Sequence, residues 1–362
     1  MVVPTAAGYR DRRRSARLHD DRSGRRAHPQ PADGGGPVTD ELLSVRNLAI
    51  TYRGGGSEVQ AVRGVDFDLG PGQTLGIAGE SGSGKSTVAL SLLRLLPDST
   101  KVTGEIQFEG SDVLTLGWGE LRAVRWAGMS VVFQGAMSAL NPVRTIGEQI
   151  REPILLHEQV GGRAARERST ELLDSVGVPS RRQNSYPHEL SGGQRQRVMI
   201  AMALACRPNL IIADEPTTAL DVIVQAQILQ LLTDLVRDSQ IGMIMISHDL
   251  SVLADVCERL AIMYAGRMVE IGPSKDLMTD PKHPYTKALS GAFPKIGDMA
   301  SRRKPSGLPG DPPDPASVGP GCAFEPRCPV ALQVCKTRDI ELWDAGPDRE
   351  AACVHVLSGE QK

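Results

Sequence analysis

A glycine-rich loop constrains the fold of this 362-residue chain more than any other feature. The pattern G-x-x-x-x-G-K-[ST] is met by Gly79-Glu80-Ser81-Gly82-Ser83-Gly84-Lys85-Ser86. The loop follows the apolar run Leu75–Ala78 and precedes a stretch with helical apolar periodicity. Glycines let successive backbone N–H groups converge on phosphate oxygens, and a helix N-terminus adds positive potential. The sequence therefore predicts a nucleotide phosphate site in a strand–loop–helix unit.

Two side chains of this loop have the chemistry that nucleotide hydrolysis requires. We expect Lys85 to reach the β- and γ-phosphates and the Ser86 hydroxyl to ligate Mg²⁺. The other nucleotide contacts predicted in and beside the loop are Gly79, Ser81, Gly82, Ser83, Gly84 and Thr87.

A pair of carboxylates supports this interpretation. The apolar run Leu210–Ala213 ends in Asp214 and Glu215. A carboxylate at a strand end can hold the Mg²⁺ shell, which is the role we expect for Asp214. Glu215 lies one residue further on, points elsewhere and can polarise a water for in-line attack on the γ-phosphate.

Short apolar runs alternate with helical stretches, which is typical of a mostly parallel α/β sheet covered by helices. Strand-like residues from Leu43 to Tyr52 precede a Gly-rich turn and a second strand through Val65 and Phe67. The stretch from Leu140 to Tyr186 has helical composition and predicts a helical insertion. The remaining predicted strands are Thr74–Ala78, Ser130–Phe133, Leu210–Ala213 and Gly242–Ile246, and the helices are Ser86–Leu96, Ser191–Cys206 and Asp221–Val236.

Composition argues against some classes of function. The chain has 41 Lys and Arg against 43 Asp and Glu, and its net charge of −2 argues against a general nucleic-acid binder. The longest apolar run, Val198–Cys206, has nine residues, whereas a membrane span needs roughly 20. We therefore do not expect the chain itself to be a channel or permease.

The N-terminal residues 1–37 contain eight Arg and four Asp and almost no periodic apolar residues. Such a composition predicts a disordered tail. The tail could be a basic arm for acidic lipid or nucleic acid, a segment without a role, or the product of a start codon placed too early.

The pentapeptide Leu190-Ser191-Gly192-Gly193-Gln194, twenty residues before Asp214, makes the chain resemble an ATP-binding-cassette (ABC) ATPase. In that family this signature binds the γ-phosphate of the nucleotide held by the opposite cassette. A serine hydroxyl and glycine N–H groups that open a helix can form such an anion site. The resemblance implies a P-loop NTPase cassette, with a RecA-like core, an antiparallel β subdomain and a helical subdomain.

Other family elements follow in the expected order. Gln134 resembles the glutamine that touches Mg²⁺ and senses the membrane partner, and Asp221 lies in a segment similar to the loop that crosses the dimer. His248 resembles the histidine that contacts the γ-phosphate, and Tyr52 the aromatic residue that stacks on adenine. The resemblance thus implies that Glu215, His248, Gln134 and Lys85 are catalytic and that Ser86, Gln134 and Asp214 bind Mg²⁺.

Two further segments place the resemblance within the oligopeptide/dipeptide/nickel importer branch. They are Ser185-Tyr186-Pro187-His188-Glu189 and His283-Pro284-Tyr285-Thr286-Lys287-Ala288-Leu289, and the resemblance extends over about Leu42–Val356. Gly135-Ala136 departs from the Asp-Pro that many members carry after the glutamine, which puts the choice of membrane partner in doubt.

The resemblance implies partners and a location. We expect a dimer with a second cassette (a copy of this chain or a sister ATPase), two permease subunits and an extracytoplasmic substrate-binding protein. The chain would then lie peripherally on the cytoplasmic face of the membrane. Di- or oligopeptides are the expected cargo, with nickel or another small solute as the alternative. A cassette acting on nucleic acid, an exporter ATPase and a stand-alone metal-binding module fit the sequence less well.

Four cysteines near the C-terminus form the pattern C-x5-C-x6-C-x17-C: Cys322, Cys328, Cys335 and Cys353. Four thiolates suit a tetrahedral zinc ion or a [4Fe–4S] cluster, and the spacing does not choose between them. Resemblance to importer ATPases with this Gly-Cys-x-Phe-x-Pro-Arg-Cys-Pro string favours the cluster over zinc or free thiols.

The expected domain organisation has three parts. They are a tail over residues 1–37, an ATPase domain over 38–272 with its helical subdomain at about 140–190, and a Cys-containing C-terminal extension over 273–362.

Overall fold

The computed structural model describes residues 41–54, 57–133, 135, 139–292 and 310–357. The tail predicted over residues 1–37 and much of the Pro/Gly-rich stretch after residue 293 lie outside these ranges. The strands in the described ranges are β1 Leu43–Gly54, β2 Ser57–Leu69, β3 Thr74–Ala78, β4 Lys101–Phe108, β5 Ser111–Asp112, β6 Met129–Val132, β7 Leu210–Asp214, β8 Gly242–Ser247, β9 Arg259–Tyr264, β10 Arg267–Pro273, β11 Trp343–Gly346 and β12 Arg349–Ala351.

Helices separate most of these strands. They are α1 Lys85–Leu92, α2 Trp118–Ala123, α3 Ile146–His157, α4 Gly162–Ser175, α5 Gly192–Ala203, α6 Val222–Ser239, α7 Leu250–Val256, α8 Ser274–Thr279, α9 Pro284–Ala292 and α10 Val354–Leu357. No helix within the described ranges is long and apolar enough to cross a membrane.

The larger sheet has the strand order β11-β12-β10-β9-β3-β8-β7-β6 among the described residues. Neighbours from β9 to β6 pair in parallel, whereas β10, β12 and β11 pair antiparallel. All residues of β3, β7 and β8 are buried. Continuous burial explains why these strands read in the sequence as unbroken apolar runs.

Side chains of the parallel strands alternate between two hydrophobic clusters. In β8, Met243 and Met245 belong to one cluster, while Ile244 and Ile246 belong to the other. Because successive strand residues point to opposite faces, the sheet is covered on both sides. Helix α1 packs on one side through Val88 and Leu92.

A smaller antiparallel sheet has the strand order β2-β1-β4-β5 and contains the first two strands of the described chain. The predicted helical insertion contains α3 and α4. Helix α3 begins at a capping box, in which Thr145 Oγ1 accepts from the Glu148 N–H and the Glu148 carboxylate accepts from the Thr145 N–H.

The cysteine-bearing segment is joined to the main sheet, which the sequence analysis did not foresee. Strand β12 pairs with β10, and β11 pairs with β12. A buried ion pair fastens this junction: Arg349 donates to Glu270 Oε1 from Nη2 at 2.6 Å. The Glu270 carboxylate also accepts the backbone N–H groups of Lys282 and His283. One fully buried carboxylate therefore ties β10, β12 and the start of α9 together.

Replacing Arg349 with Met should lower the free energy of unfolding by about 3–5 kcal/mol, because Glu270 would keep a buried charge without its cation. Urea denaturation followed by circular dichroism measures the loss. Arg46→Met is the matched control, since Arg46 pairs with Asp68 at the surface, where the side chains are 44% and 36% exposed. Its expected loss is below about 1 kcal/mol. Equal losses for both variants would contradict this account of the junction.

Candidate functional site

The glycine-rich loop connects β3 to α1, as its flanking sequence predicts. Gly84 has φ +101° and is the N-cap of α1. A Cβ at Gly84 would lie 2.5 Å from the Ala61 carbonyl oxygen, and one at Gly79 would lie 2.2 Å from the Met263 carbonyl oxygen. Side chains at these positions would force the backbone apart, so the loop can pack this closely only with glycine.

Lys85 is buried against the loop that precedes it. Its Nζ donates to the carbonyl oxygens of Gly79 and Glu80, each at 2.8 Å, and to Ser83 Oγ at 3.3 Å. Burial lowers the pKa of the ammonium group, and the nearby carboxylates of Glu215 and Asp214 act against that shift. The cation therefore lies within the loop and near the carboxylates of Asp214 and Glu215 at the end of β7.

Asp214 has a carboxylate oxygen suited to a metal ion. Its Oδ1 is buried and has no hydrogen-bond partner in the described part of the chain. Burial raises the pKa of the carboxyl group, while a hydrogen bond with the Ser86 side chain and the charge of Lys85 act to lower it. A buried carboxylate oxygen without a partner is costly, and Mg²⁺ prefers such oxygen ligands. Asp214 and Ser86 together fit the Mg²⁺ that the loop implies.

Glu215 and His248 meet at the ends of adjacent strands. His248 Nδ1 lies 3.2 Å from Glu215 Oε1, and Thr218 Oγ1 donates to Glu215 Oε2 at 2.8 Å. Glu215 takes a left-handed backbone conformation, with φ +44°, directly after β7. The His248 side chain is 67% exposed. The Glu215 carboxylate is thus held between Thr218 and a largely exposed His248.

The signature lies at the start of α5. Ser191 is the N-cap, and its Oγ accepts from the Gln194 N–H at 3.3 Å, while Gln194 Oε1 accepts from the Ser191 N–H at 3.1 Å. A Cβ on Gly193 would lie 2.6 Å from Val224 Cγ1, and one on Gly192 would lie 3.5 Å from Leu220 Cδ2. The glycines therefore let α5 approach the segment that begins α6.

Within the described residues, no hydrogen bond or ion pair joins Ser191–Gln194 to the phosphate loop of the same chain. Asp221 caps α6, with its Oδ1 accepting from the Val224 N–H at 3.0 Å. Tyr52 lies at the end of β1, where its hydroxyl is 3.2 Å from Thr87 Oγ1. Gln134 lies outside the described residues, so its predicted contacts with Mg²⁺ and a membrane partner remain predictions.

The four C-terminal cysteines line one cavity, together with His283 and Phe324. Burial raises the pKa of Cys322, Cys328 and Cys353, while the backbone N–H groups of Phe324, Val330 and His355, respectively, act to lower it. Burial raises the pKa of Cys322 to about 11. No group of three or more His, Cys, Asp or Glu side chains in the described ranges is placed to hold a single metal ion.

Sequence reasoning missed two residues that contact the phosphate loop from the C-terminal part of the chain. Arg327 forms a two-pronged ion pair with the Glu80 carboxylate, at 2.7 and 3.0 Å. The Tyr285 hydroxyl accepts the Glu80 N–H at 3.0 Å. The partners are 247 and 205 residues apart, and no local spacing in the sequence could have paired them.

Comparison with known proteins agrees with this architecture. Residues 62–218 match the family described as ABC transporter, and residues 269–335 match the family described as oligopeptide/dipeptide transporter, C-terminal region. The dimeric structure of a post-hydrolysis state of an ATP-binding cassette, bound to ADP and Pi, is similar with a TM-score of 0.58 at 30% identity. That likeness covers 64% of this chain and 99% of the other.

Two relatives show how far the similarity extends. The oligopeptide transport ATP-binding protein OppD of Mycobacterium tuberculosis is 46% identical over 318 residues, covering 87% of this chain but only 52% of the relative. This chain therefore spans about half the length of that protein. The dipeptide transport ATP-binding protein DppD of Bacillus subtilis is 48% identical over 300 residues, covering 82% of this chain and 89% of the relative. The chain belongs to the oligopeptide/dipeptide family of ABC transporter ATP-binding proteins.

Proposed function

We propose that the chain binds Mg·ATP and hydrolyses it to ADP and phosphate, and so powers a binding-protein-dependent importer of di- or oligopeptides. The observation that carries the proposal is the buried, unpartnered Oδ1 of Asp214 beside Ser86 and Lys85. This arrangement supplies an oxygen ligand for Mg²⁺ and a cation for phosphate at the start of one helix.

The chemistry follows from the positions of these groups. The N–H groups of Gly82 and Gly84 and the Lys85 ammonium would bind the phosphates. Ser81, Ser83 and Thr87 would lie beside them, with the Tyr52 ring against adenine. Asp214 and Ser86 would hold Mg²⁺ with Gln134. Glu215 would accept a proton from the attacking water as it reaches the γ-phosphate. His248, in contact with Glu215, would orient that carboxylate and meet the γ-phosphate.

A dimer would complete the site. In the described residues no hydrogen bond or ion pair joins the signature Ser191–Gln194 to its own phosphate loop, so the signature is available to a nucleotide on a second cassette. Val222 is 79% exposed and Ile223 is 72% exposed directly after Asp221, which leaves apolar surface for a partner there. The partner would be a second copy or a sister ATPase. The similar cassette structure is itself described as dimeric.

Membrane partners would bind elsewhere on the cassette. An apolar groove is lined by Leu95, Trp126, Phe133 and Met199, among other residues. It adjoins Gln134 in the sequence, so a helix of a permease subunit could sense the nucleotide state there. We infer two permeases, an extracytoplasmic substrate-binding protein and a position at the cytoplasmic face of the membrane. The relatives' names support peptides as cargo. Nickel or another small solute is the alternative.

We also propose that Cys322, Cys328, Cys335 and Cys353 hold a [4Fe–4S] cluster. The support is the cavity that all four cysteines line. When bound, the cluster would cross-link the segment as a structural element.

Glu215→Gln should reduce ATP hydrolysis by about 100-fold or more, because the amide cannot accept the proton of the attacking water. ATP binding should persist, and ATP-bound dimers should accumulate. Phosphate release and size-exclusion chromatography with ATP measure the two effects.

The control for this variant is Glu350→Gln, an exposed residue of β12 remote from the loop. Its turnover should equal that of the unmodified chain. Undiminished hydrolysis in Glu215→Gln would remove Glu215 from the mechanism.

Protein purified anaerobically should contain iron and acid-labile sulfide in stoichiometric amounts. Cys335→Ser should lose both, because Cys335 is one of the four proposed ligands. Cys206→Ser should retain both, since Cys206 is buried in the ATPase region and does not line the cavity. A colourless protein with stoichiometric zinc would refute the cluster.

A further inference from the structure

Every polar group of Glu80, the second residue of the phosphate loop, has a hydrogen-bond partner. Its carbonyl oxygen accepts from Lys85 Nζ at 2.8 Å. The Glu80 N–H donates to the Tyr285 hydroxyl and therefore points away from the interior of the loop. Its carboxylate receives both Nη atoms of Arg327. The carbonyl oxygen also accepts from the Ser83 N–H at 3.2 Å. The partners of the N–H and of the carboxylate come from the C-terminal part of the chain.

The groups that hold Glu80 are themselves held in place. The Arg327 side chain is only 7% exposed, and its guanidinium lies 5.9 Å from the ring centres of Tyr264 and Phe324. The rings of Tyr264 and Tyr285 are 4.6 Å apart, and the Phe324 ring is 5.3–5.4 Å from both. Tyr285 and Phe324 are fully buried. Because the planar Arg327 guanidinium is buried against packed aromatic rings, its ion pair with Glu80 is a rigid anchor and differs from a mobile ion pair at the surface.

The anchor belongs to the segment that contains the cysteines. Arg327 immediately precedes Cys328, and Phe324 lines the cysteine cavity. The residues between Cys322 and Cys328 form a short 3-10 turn, with the Arg327 N–H bonded to the Phe324 carbonyl at 3.0 Å. The position of the Arg327 backbone therefore depends on how this turn is folded.

We propose that Arg327 and Tyr285 are positioning residues for nucleotide binding, acting through Glu80 on the phosphate loop. The inference rests on the proposed function, since it concerns the affinity of that same site for ATP. A loop that is already fixed at Glu80 has less conformational freedom to lose when phosphate binds, and a preorganised site binds more tightly. The effect should fall on binding, because both residues contact the loop at Glu80 and neither is hydrogen-bonded to Glu215 or His248 in the described residues.

Equilibrium titration of the full chain with Mg·ATP tests the proposal. Arg327→Gln should weaken ATP binding by roughly 5- to 150-fold, the usual range for coupling between separate sites. The kcat at saturating ATP should change much less than KM. Arg327→Lys keeps the charge but loses the two-pronged contact, so its affinity for ATP should lie between those of the unmodified chain and Arg327→Gln. Arg338→Gln is the matched control, because Arg338 lies over the Trp343 ring in the same segment. It should bind ATP like the unmodified chain.

A double-mutant cycle with Glu80→Gln identifies the route of the effect. If Arg327 acts through Glu80, the double variant should be no weaker than the weaker single variant. Additive losses would overturn this route. Should Arg327→Gln fail to fold, as judged by its thermal unfolding without nucleotide, Tyr285→Phe removes only a hydroxyl and should also weaken binding. Unchanged affinity in Tyr285→Phe and Arg327→Lys would overturn the proposal.

The same titration separates this inference from the proposed function. An unmodified chain that binds ATP while all anchor variants bind it equally well refutes the anchor alone. An unmodified, folded chain that does not bind Mg·ATP refutes the ATPase proposal and the anchor with it.

Discussion

The site depends on parallel pairing of β9, β3, β8, β7 and β6, which places their carboxyl ends at one edge of the sheet. At that edge β3 leads into the phosphate loop, β7 ends at Asp214 and β8 is followed by His248. The strands are buried on both faces, so their register is fixed by packing against two hydrophobic clusters. Groups far apart in the chain thus meet at defined distances, as Glu215 and His248 do at 3.2 Å.

The C-terminal segment is part of this arrangement rather than an appendage to it. It extends the sheet through β12 and β11, and it is fastened by the buried pair of Glu270 and Arg349. It also supplies Arg327 to the phosphate loop. One aromatic cluster consequently links the cysteine cavity to the nucleotide site. Phe324 lines the cavity, and its ring packs against the rings of Tyr264 and Tyr285.

Local patterns predicted much of the cassette and little of its tertiary contacts. The predicted strand Thr74–Ala78 is observed with the same bounds, because an apolar run between a turn and a glycine loop has few alternatives. The short strands β11 and β12 were missed, since their residues are largely polar and become strand only by pairing with β10. The Glu80–Arg327 contact was missed because it joins residues 247 positions apart, and its geometry depends on packing. Convergence of the four cysteines on one cavity was expected from their number and type, whereas the group that they hold is not decided by spacing.

We propose that this chain is the ATP-hydrolysing subunit of a peptide importer. Affinity purification of the tagged chain from its native membranes, followed by mass spectrometry, tests it most directly. The account predicts recovery of two membrane-spanning subunits and a second cassette, with a binding protein that carries a peptide. Recovery with soluble nucleic-acid machinery and without any membrane-spanning partner would contradict it.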